Sequence, residues 1–211
     1  MKPLSAVLVL ATLLPGAAGA QATDAGVFQI RSASREIGTE TFTVTGDTSV
    51  RITATTSYPG ARPGIELTAS LIRNEAGGAA FQLERKAGST GGQVYAVQKR
   101  NRITIRRVDR GAEQASELPG GPRTLLLADS VFALYLQVIP LATESGQSLN
   151  AVFPHGARRV TLTAQRVPNG ESGSLIRLTG GIEVEIELGN DDRVQRISLP
   201  ALRLDAVRRA N

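Results

Sequence analysis

Alternation of apolar and polar residues with a period of two dominates this chain, which is typical of half-buried β-strands. Residues 50–54 and 182–188 alternate most cleanly, and Thr- and Val-rich segments of similar length recur along most of the sequence. Glycine pairs and polar turn residues separate these segments, which favours an antiparallel meander. The expected turns lie at Glu36-Ile37-Gly38, Gly46-Asp47, Gly77-Gly78, Gly91-Gly92 and Asn190-Asp191-Asp192.

The middle of the chain breaks this period. Residues 125–139 contain three polar positions, and Pro140 ends the apolar stretch. The pattern predicts a helix from Ser130 to about Ile139 with Asp129 as its N-cap, preceded by a loop over residues 111–123. Because such a helix is apolar almost all round, it has to be buried almost all round. The expected fold is therefore mainly β: a curved antiparallel sheet, or half-barrel, wrapped around one central hydrophobic helix.

The first twenty residues have the features of a secretory signal. Lys2 precedes an apolar region over residues 4–14, and Ala18-Gly19-Ala20 matches a cleavage site. The apolar region is too short to span a bilayer. We expect a signal peptide over residues 1–20, a single half-barrel domain over residues 21–211 that starts at about Gln21, and a periplasmic or secreted location.

Composition removes several classes of chemistry. The 211 residues include no cysteine and one histidine, which excludes thiol nucleophiles, disulfides, Fe–S clusters and zinc sites of the Cys/His type. A hydrolytic triad would have to use His155, which lies in a turn-like setting, and no Gly-x-Ser-x-Gly motif occurs. We expect neither catalytic activity nor a cofactor or metal, although an envelope hydrolase that uses His155 stays open.

Two charged segments offer candidate surfaces. The formal net charge is +5, and Arg100, Arg102 and Arg106 would share one face of a strand. This arginine ridge is either a solvated outer face or a patch for anionic lipid or an envelope partner, whereas the scarcity of aromatic residues disfavours nucleic acid. Glu183, Glu185 and Glu187 form an acidic ridge, which we expect to pair with the arginines of a neighbouring strand.

The apolar helix has the most functional content. Its residues at i, i+3, i+4 and i+7 form one face, and that face with the curved sheet either fills a core or lines a cavity for an acyl chain or similar ligand. The predicted ligand-binding residues are Phe132, Tyr135, Leu136, Ile139, Phe81 and Ile105. Phe42, Ile52 and Leu67 are expected to complete the apolar interior.

Three segments carry a family resemblance: Arg35-Glu36-Ile37-Gly38, the stretch Leu-Ala-Asp-Ser-Val-Phe-Ala-Leu-Tyr-Leu at 127–136, and the late strand pair 182–188 and 194–199. In this order they resemble an uncharacterised family of bacterial periplasmic half-β-barrel proteins, which is similar in fold to the LolA/LolB-like lipoprotein carriers. The resemblance implies a curved antiparallel sheet with an apolar concave side. The carriers use that side for acyl chains, and no catalytic residue is implied.

The leading hypothesis is thus a non-catalytic exported protein that binds or shields a hydrophobic or lipid-like ligand in the concave face of its sheet. The alternative is a structural or interaction module of the cell envelope that docks an anionic partner through the arginine ridge or an open sheet edge. An outer-membrane β-barrel is a further class, but the chain has few aromatic residues for the two interfacial girdles. We expect no nucleic-acid partner and no transmembrane span.

Overall fold

The computed structural model describes residues 22–46, 49–170 and 173–210. The predicted signal peptide over residues 1–20, its junction at Gln21 and Asp47 of the predicted Gly46-Asp47 turn lie outside these described residues.

Fifteen β-strands and three 3-10 helices make up the part of the chain that the structure describes. The helices are Phe132–Leu141, which we call the buried helix, and the single turns Pro154–Gly156 and Pro200–Leu202. The strands are β1 Ala22–Ser32, β2 Arg35–Thr45, β3 Ser49–Tyr58, β4 Ile65–Asn74, β5 Ala79–Ala87, β6 Thr90–Lys99, β7 Arg102–Asp109, β8 Ala112–Pro119, β9 Thr124–Leu126, β10 Gln147–Phe153, β11 Arg158–Pro168, β12 Ser174–Gly180, β13 Val184–Leu188, β14 Val194–Leu199 and β15 Leu204–Arg208.

All of these strands join one sheet in the order β8-β7-β6-β5-β4-β3-β2-β1-β15-β14-β13-β12-β11-β10-β9. Strands β1–β8 form one antiparallel meander and β10–β15 form a second. The two meanders meet where β1 pairs with β15 in antiparallel register, Ile30 opposite Ala206. The predicted antiparallel sheet is therefore confirmed except at one edge, where β9 pairs in parallel with β10.

Chain connectivity requires this sheet to curve. Strands β8 and β9 are its two edges, yet β8 ends at Pro119 and β9 begins at Thr124. Fifteen strands at a spacing of about 4.8 Å would separate the edges of a flat sheet by roughly 65 Å. The short connection reaches at most about 18 Å even when fully extended. The sheet must therefore curl until its edges lie close together, while β8 and β9 do not pair with each other.

Strand alternation places the core on one face of this curved sheet. In β3, for example, Ile52, Ala54 and Thr56 are buried, whereas the residues between them are exposed. The same period continues in β4, β5, β6 and β7. The buried apolar residues of both meanders and of the buried helix form one cluster, in which Phe28 and Phe42 stack with ring centroids 4.6 Å apart.

The buried helix starts and ends later than the sequence predicted. Val131 N–H bonds to Ala128 C=O at 3.3 Å, so a tight turn precedes the helix and its N-cap is Val131 in an extended conformation. Asp129 is not the cap, because its carboxylate pairs with Arg158 at 3.3 Å. Pro140 lies inside the helix rather than ending it. The helix contacts β2, β3 and β9.

The parallel edge strand β9 is fully buried, and side chains bond to its carbonyl groups. Arg73 on β4 donates to the carbonyl of Thr124 and to Oε1 of Gln137. Gln137 of the buried helix in turn donates to the carbonyl of Leu126 at 2.9 Å. A buried sheet edge needs such partners, because its carbonyl groups cannot reach water.

Several boundaries predicted from the sequence are wrong. Glu36-Ile37-Gly38 lies within β2, and the turn precedes that strand at Ala33-Ser34. Gly91-Gly92 lies within β6. The predicted loop over residues 111–123 contains strand β8, whose residues are mostly exposed because β8 is an edge strand. The last strand of the described chain, β15, covers Leu204–Arg208.

Candidate functional site

A cleft of about 620 Å³ opens on the concave side of the sheet. One wall is the inward face of strands β3–β8 near one end, and the other wall is formed by residues 127–130 and 153–158. This volume is within the range of small-molecule sites. Its apolar side includes Leu67, Leu83, Val94, Leu127 and Phe153, and its charged side includes Arg85, Arg107, Asp109, Asp129 and Arg158.

Apolar side chains form the floor of the cleft. Leu83 and Val94 are cross-strand partners on β5 and β6, and Leu67 lies on the next strand. Leu127 and Phe153 face them from the opposite wall. All five are at most 7% exposed. The floor therefore offers an apolar surface that continues into the core.

Gly92 keeps the cleft open in the middle of β6. It lies opposite Arg85 on one side and Asp109 on the other, so these three residues form one row across the sheet. A Cβ atom at Gly92 would lie 3.8 Å from Oδ1 of Asp109 and 3.4 Å from the carbonyl oxygen of Val108. Both distances are ordinary contacts, so the absence of a side chain at this position leaves real space between Arg85 and Asp109.

The charged side of the cleft is unevenly neutralised. Arg158 stacks over the Phe153 ring at 4.2 Å and pairs with Asp129. Arg107 donates from Nη1 to the carbonyl oxygen of His155 at 3.2 Å, while its Nε is buried and has no hydrogen-bond partner. Arg85 forms no ion pair or hydrogen bond with any residue the structure describes.

A second polar cluster lies deeper, at the start of the buried helix. The Glu40 carboxylate is 0% exposed and accepts the N–H groups of Phe132 at 2.9 Å and Ala133 at 2.6 Å. Thr56 Oγ1 donates to the same carboxylate at 2.8 Å. Burial raises the pKa of Glu40 from 4.5 to about 7, although the three hydrogen bonds act in the opposite direction.

Glu40 thus performs the capping role that the sequence assigned to Asp129. Its hydrogen bonds satisfy two N–H groups that a helix start would otherwise leave unpaired. Sequence reasoning missed it because Glu40 precedes the helix by more than ninety residues. The available signal was a carboxylate at an inward position of an alternating strand, between Gly38 and Phe42.

Tyr58 links this cluster to the cleft. The Tyr58 hydroxyl donates to the carbonyl oxygen of Ser130 at 3.0 Å, which ties β3 to the segment before the buried helix. Burial raises the pKa of Tyr58, and the charge of Glu40 raises it further. The Tyr135 hydroxyl is buried without a hydrogen-bond partner. Burial raises the pKa of Tyr135 as well; the charge of Asp129 raises this pKa further, and the charge of Arg158 lowers it.

The ligand-binding residues predicted from the sequence lie in the core rather than on the cleft. Phe132, Tyr135 and Ile105 are 0% exposed, and Phe81 and Leu136 are buried. Ile139 is partly buried against the same cluster. The expected interior residues Phe42, Ile52 and Leu67 are also buried. Their role in ligand binding stays a prediction, and of all these residues Leu67 alone belongs to the lining of the cleft.

The arginine ridge occupies the outer face of the sheet, where it borders a broad open groove. Arg102 pairs with Glu117 at 3.4 Å, and Arg106 donates to Glu113 at 2.8 Å. Arg100 does not share the strand face predicted for it, because it lies in the turn between β6 and β7 with φ 53°. Strand β8 therefore supplies carboxylates that offset two of the three predicted anion-binding arginines.

Two of the three glutamates of the acidic ridge pair with arginines of neighbouring strands. Glu187 contacts Arg196 at 3.4 Å, and Glu185 contacts Arg177 at 3.5 Å. His155 lies in the turn Pro154–Gly156, where its carbonyl group accepts from Arg107. Over residues 22–46, 49–170 and 173–210, no group of three or more His, Asp and Glu side chains could hold a metal ion.

Three comparisons place the chain among known proteins. No family model matches it, and no curated protein matches it. A solved structure, a beta-barrel-like protein of the domain of unknown function DUF1849 from Brucella abortus, is similar with a TM-score of 0.53. The match is 8% identical and covers 88% of this chain and 94% of that chain. This likeness supports a beta-barrel-like fold. Within the described residues, no helix is long and apolar enough to cross a membrane.

Proposed function

We propose that this chain is a non-catalytic, exported protein that binds a hydrophobic or lipid-like ligand on the concave side of its sheet. The observation that carries the proposal is the cleft of about 620 Å³, which combines an apolar floor with a charged mouth. Ligand sites typically combine a mostly apolar lining with a few polar groups that fix orientation.

The proposal includes the finer points of the family resemblance. The sheet is a half-barrel of the LolA-like kind, the buried helix lies at its centre, and the mature protein works in the periplasm. Support comes from the curvature that the β8–β9 connection requires and from the buried helix, whose residues 132–138 are all buried. The signal-like first twenty residues support export.

The cleft is the place where a ligand enters in this proposal. The helix residues Phe132 and Tyr135 are already covered by protein, whereas Leu83 and Val94 border open space. A long apolar chain would first occupy the cleft floor, and it would reach the predicted helix face only if the segment at residues 127–130 moved. Tyr58 holds that segment to β3 through a single hydrogen bond.

The arginine ridge is the less favoured site for a partner. Ion pairs with Glu117 and Glu113 offset the charges of Arg102 and Arg106, and exposed pairs of this kind compete with any anionic partner for the same guanidinium groups. The cleft, in contrast, contains cations that no described carboxylate pairs with.

Filling the cleft tests the proposal directly. Gly92→Leu would place a side chain into the open space without a backbone clash, and Thr104→Leu adds the same side chain to the outer face of β7 as a matched control. Native mass spectrometry of gently purified mature protein should show co-purified lipid in the wild type and in Thr104→Leu, and should show its loss in Gly92→Leu. A fluorescent fatty acid should bind the wild type and Thr104→Leu, and it should not bind Gly92→Leu.

Wild-type protein free of lipid and unable to bind the fluorescent fatty acid would overturn the proposal. Equal lipid content in the two folded leucine variants would exclude the cleft as the binding site. Circular dichroism and thermal melting identify a variant that fails to fold.

A further inference from the structure

The geometry points to a more specific ligand class: we infer that the ligand is an amphiphile with a single anionic head group, held between Arg85 and Arg107 at the mouth of the cleft. This inference rests on the proposed function, since it assumes that an apolar chain occupies the cleft floor. It assigns the polarity of the ligand and the direction in which it lies.

Arg85 and Arg107 both lie on the inward face of the sheet and line the same cleft. Arg85 lies opposite Gly92, and Arg107 lies opposite Val94, so the two arginines flank β6 on adjacent rows. Neither β6 residue blocks the space between them, because Gly92 has no side chain and Val94 is buried in the floor. Two long side chains in this arrangement can converge on one small anion above β6.

Neither arginine forms an ion pair with a residue that the structure describes. Arg107 donates to a neutral carbonyl group, and its buried Nε has no acceptor. A buried donor without a partner costs free energy that a bound acceptor would recover. Arg85 forms no ion pair. The third cation of the cleft, Arg158, differs because Asp129 already neutralises it.

Asp109 limits where the anion can lie. It occupies the same row as Arg85, beyond Gly92, and follows Arg107 on the same face of β7. An anionic head group is therefore repelled from the Asp109 end of the row and attracted towards Arg85 and the Arg107 guanidinium. The apolar residues Leu83, Leu127 and Phe153 lie on the remaining side, so the chain of the amphiphile extends along them.

Guanidinium groups suit this role because their planar fork binds carboxylate and phosphate oxygens in pairs. The inference covers both head groups, since the two share this chemistry. The presence of apolar surface beside the cations distinguishes an amphiphile from a free inorganic anion.

The experiment compares four probes of equal chain length by isothermal titration calorimetry below their micelle concentrations: dodecanoate, dodecyl phosphate, dodecanol and dodecyltrimethylammonium. We expect wild-type protein to bind the two anions roughly 10-fold or more tightly than the neutral alcohol, because a hydrogen bond to a charged group is stronger than a neutral one. The cationic probe should bind most weakly. Inorganic phosphate alone should not bind measurably.

Two variants assign the effect to residues. Arg85→Gln and Arg107→Gln should each reduce dodecanoate affinity towards that of dodecanol, and should reduce dodecanoate affinity much more than dodecanol affinity. Arg51→Gln, an exposed arginine on the outer face of β3, is the matched control and should change neither. Asp109→Asn should increase dodecanoate affinity several-fold, because it removes the repelling charge.

The outcomes separate this inference from the proposed function. Equal binding of dodecanoate and dodecanol would overturn the anionic head group and leave the apolar cleft supported. An anion preference that survives in both Arg85→Gln and Arg107→Gln would also overturn it. Tight binding of inorganic phosphate would replace the amphiphile by a free anion. If no dodecyl probe binds, the proposed function and this inference both fail.

Discussion

Glu40→Gln tests how the titration of Glu40 affects the stability of the fold, because the substitution keeps the shape of the side chain and removes its titration. The wild-type carboxylate lies in the core, where it accepts hydrogen bonds from two backbone N–H groups and from Thr56. Burial raises its pKa from 4.5 to about 7 in the folded protein. In the unfolded chain the same group titrates at its ordinary value.

The sign of the pH dependence follows from this difference. Between about pH 4.5 and pH 7 the folded protein binds a proton at Glu40 that the unfolded chain has released, so the free energy of unfolding falls as pH rises. Stability from this group is complete below the unfolded pKa and is lost as pH passes the folded pKa. A shift of this size corresponds to roughly 3 kcal/mol at about 1.4 kcal/mol per pH unit.

Glutamine cannot reproduce all the hydrogen bonds of the carboxylate. In the wild type, Oε2 accepts from Phe132 N–H and Thr56, and Oε1 accepts from Ala133 N–H. Whichever of the two positions the glutamine oxygen takes, its NH₂ group faces a backbone N–H group at the other. Thr56 can reverse its hydroxyl group to accept, whereas a backbone N–H can only donate. We expect Glu40→Gln to be about 1–3 kcal/mol less stable than wild type at pH 5, where Glu40 is protonated, and to be less affected at pH 8.

Thermal unfolding of both proteins from pH 4.5 to pH 8 measures the effect. For a domain of this size, 3 kcal/mol corresponds to a Tm change of roughly 6–12 °C. We expect the wild-type Tm to fall across this range relative to Glu40→Gln, and the exposed variant Glu66→Gln to keep the wild-type slope. Parallel curves for wild type and Glu40→Gln would refute the argument that burial controls this carboxylate.

Three further predictions follow from single contacts. Tyr58→Phe should destabilise the fold by about 1 kcal/mol, because it removes the hydrogen bond to the Ser130 carbonyl group. Tyr135→Phe should be neutral or stabilising, because the Tyr135 hydroxyl has no hydrogen-bond partner, and urea unfolding measures both variants. Gly38→Ala should lower the free energy of urea unfolding by about 1–3 kcal/mol or more, because the new Cβ would lie 2.8 Å from the Tyr58 ring and closer to the Ser57 carbonyl oxygen. The control Gly60→Ala has open space around the new Cβ and should not lower it. Arg73→Met should destabilise by about 1–3 kcal/mol and accelerate hydrogen exchange in β9, because it leaves the Thr124 carbonyl group without its partner; unchanged exchange would show that the edge is held by other contacts.

Strand alternation made the fold class predictable because burying one face of a strand imposes a period of two on the sequence. The late strands show this clearly: β13 reads Val-Glu-Ile-Glu-Leu, and its buried residues are those the period selects. The period of two is absent from the sequence where neither face of a strand is buried. Strand β8 exposes most of its residues at the sheet edge, so its sequence resembles a loop.

The site was less predictable because it depends on contacts between distant segments. Nothing local to Glu40 shows that it caps a helix more than ninety residues later. The pair Gly91-Gly92 indicates a turn in the sequence, whereas in the structure Gly92 lies within β6 and its missing side chain leaves space in the cleft. The apolar residues of the helix were identified correctly as buried, but burial is also what keeps them from lining the cleft.

The cleft and the buried polar groups follow from the way the sheet ends. Because the chain passes from β8 to β9 through four residues, the two edges approach each other without pairing. The unpaired backbone groups of each edge therefore need other hydrogen-bond partners. At β9 these partners are the side chains of Arg73 and Gln137, which donate hydrogen bonds to carbonyl groups inside the core. Near β8 the inward arginine of the adjacent strand, Arg107, reaches across to the carbonyl group of His155 and leaves a cleft beside it. An open sheet that has to satisfy its edges with side chains can therefore form an accessible, charged cavity, whereas a fully paired barrel would bond those same edges through their backbone groups.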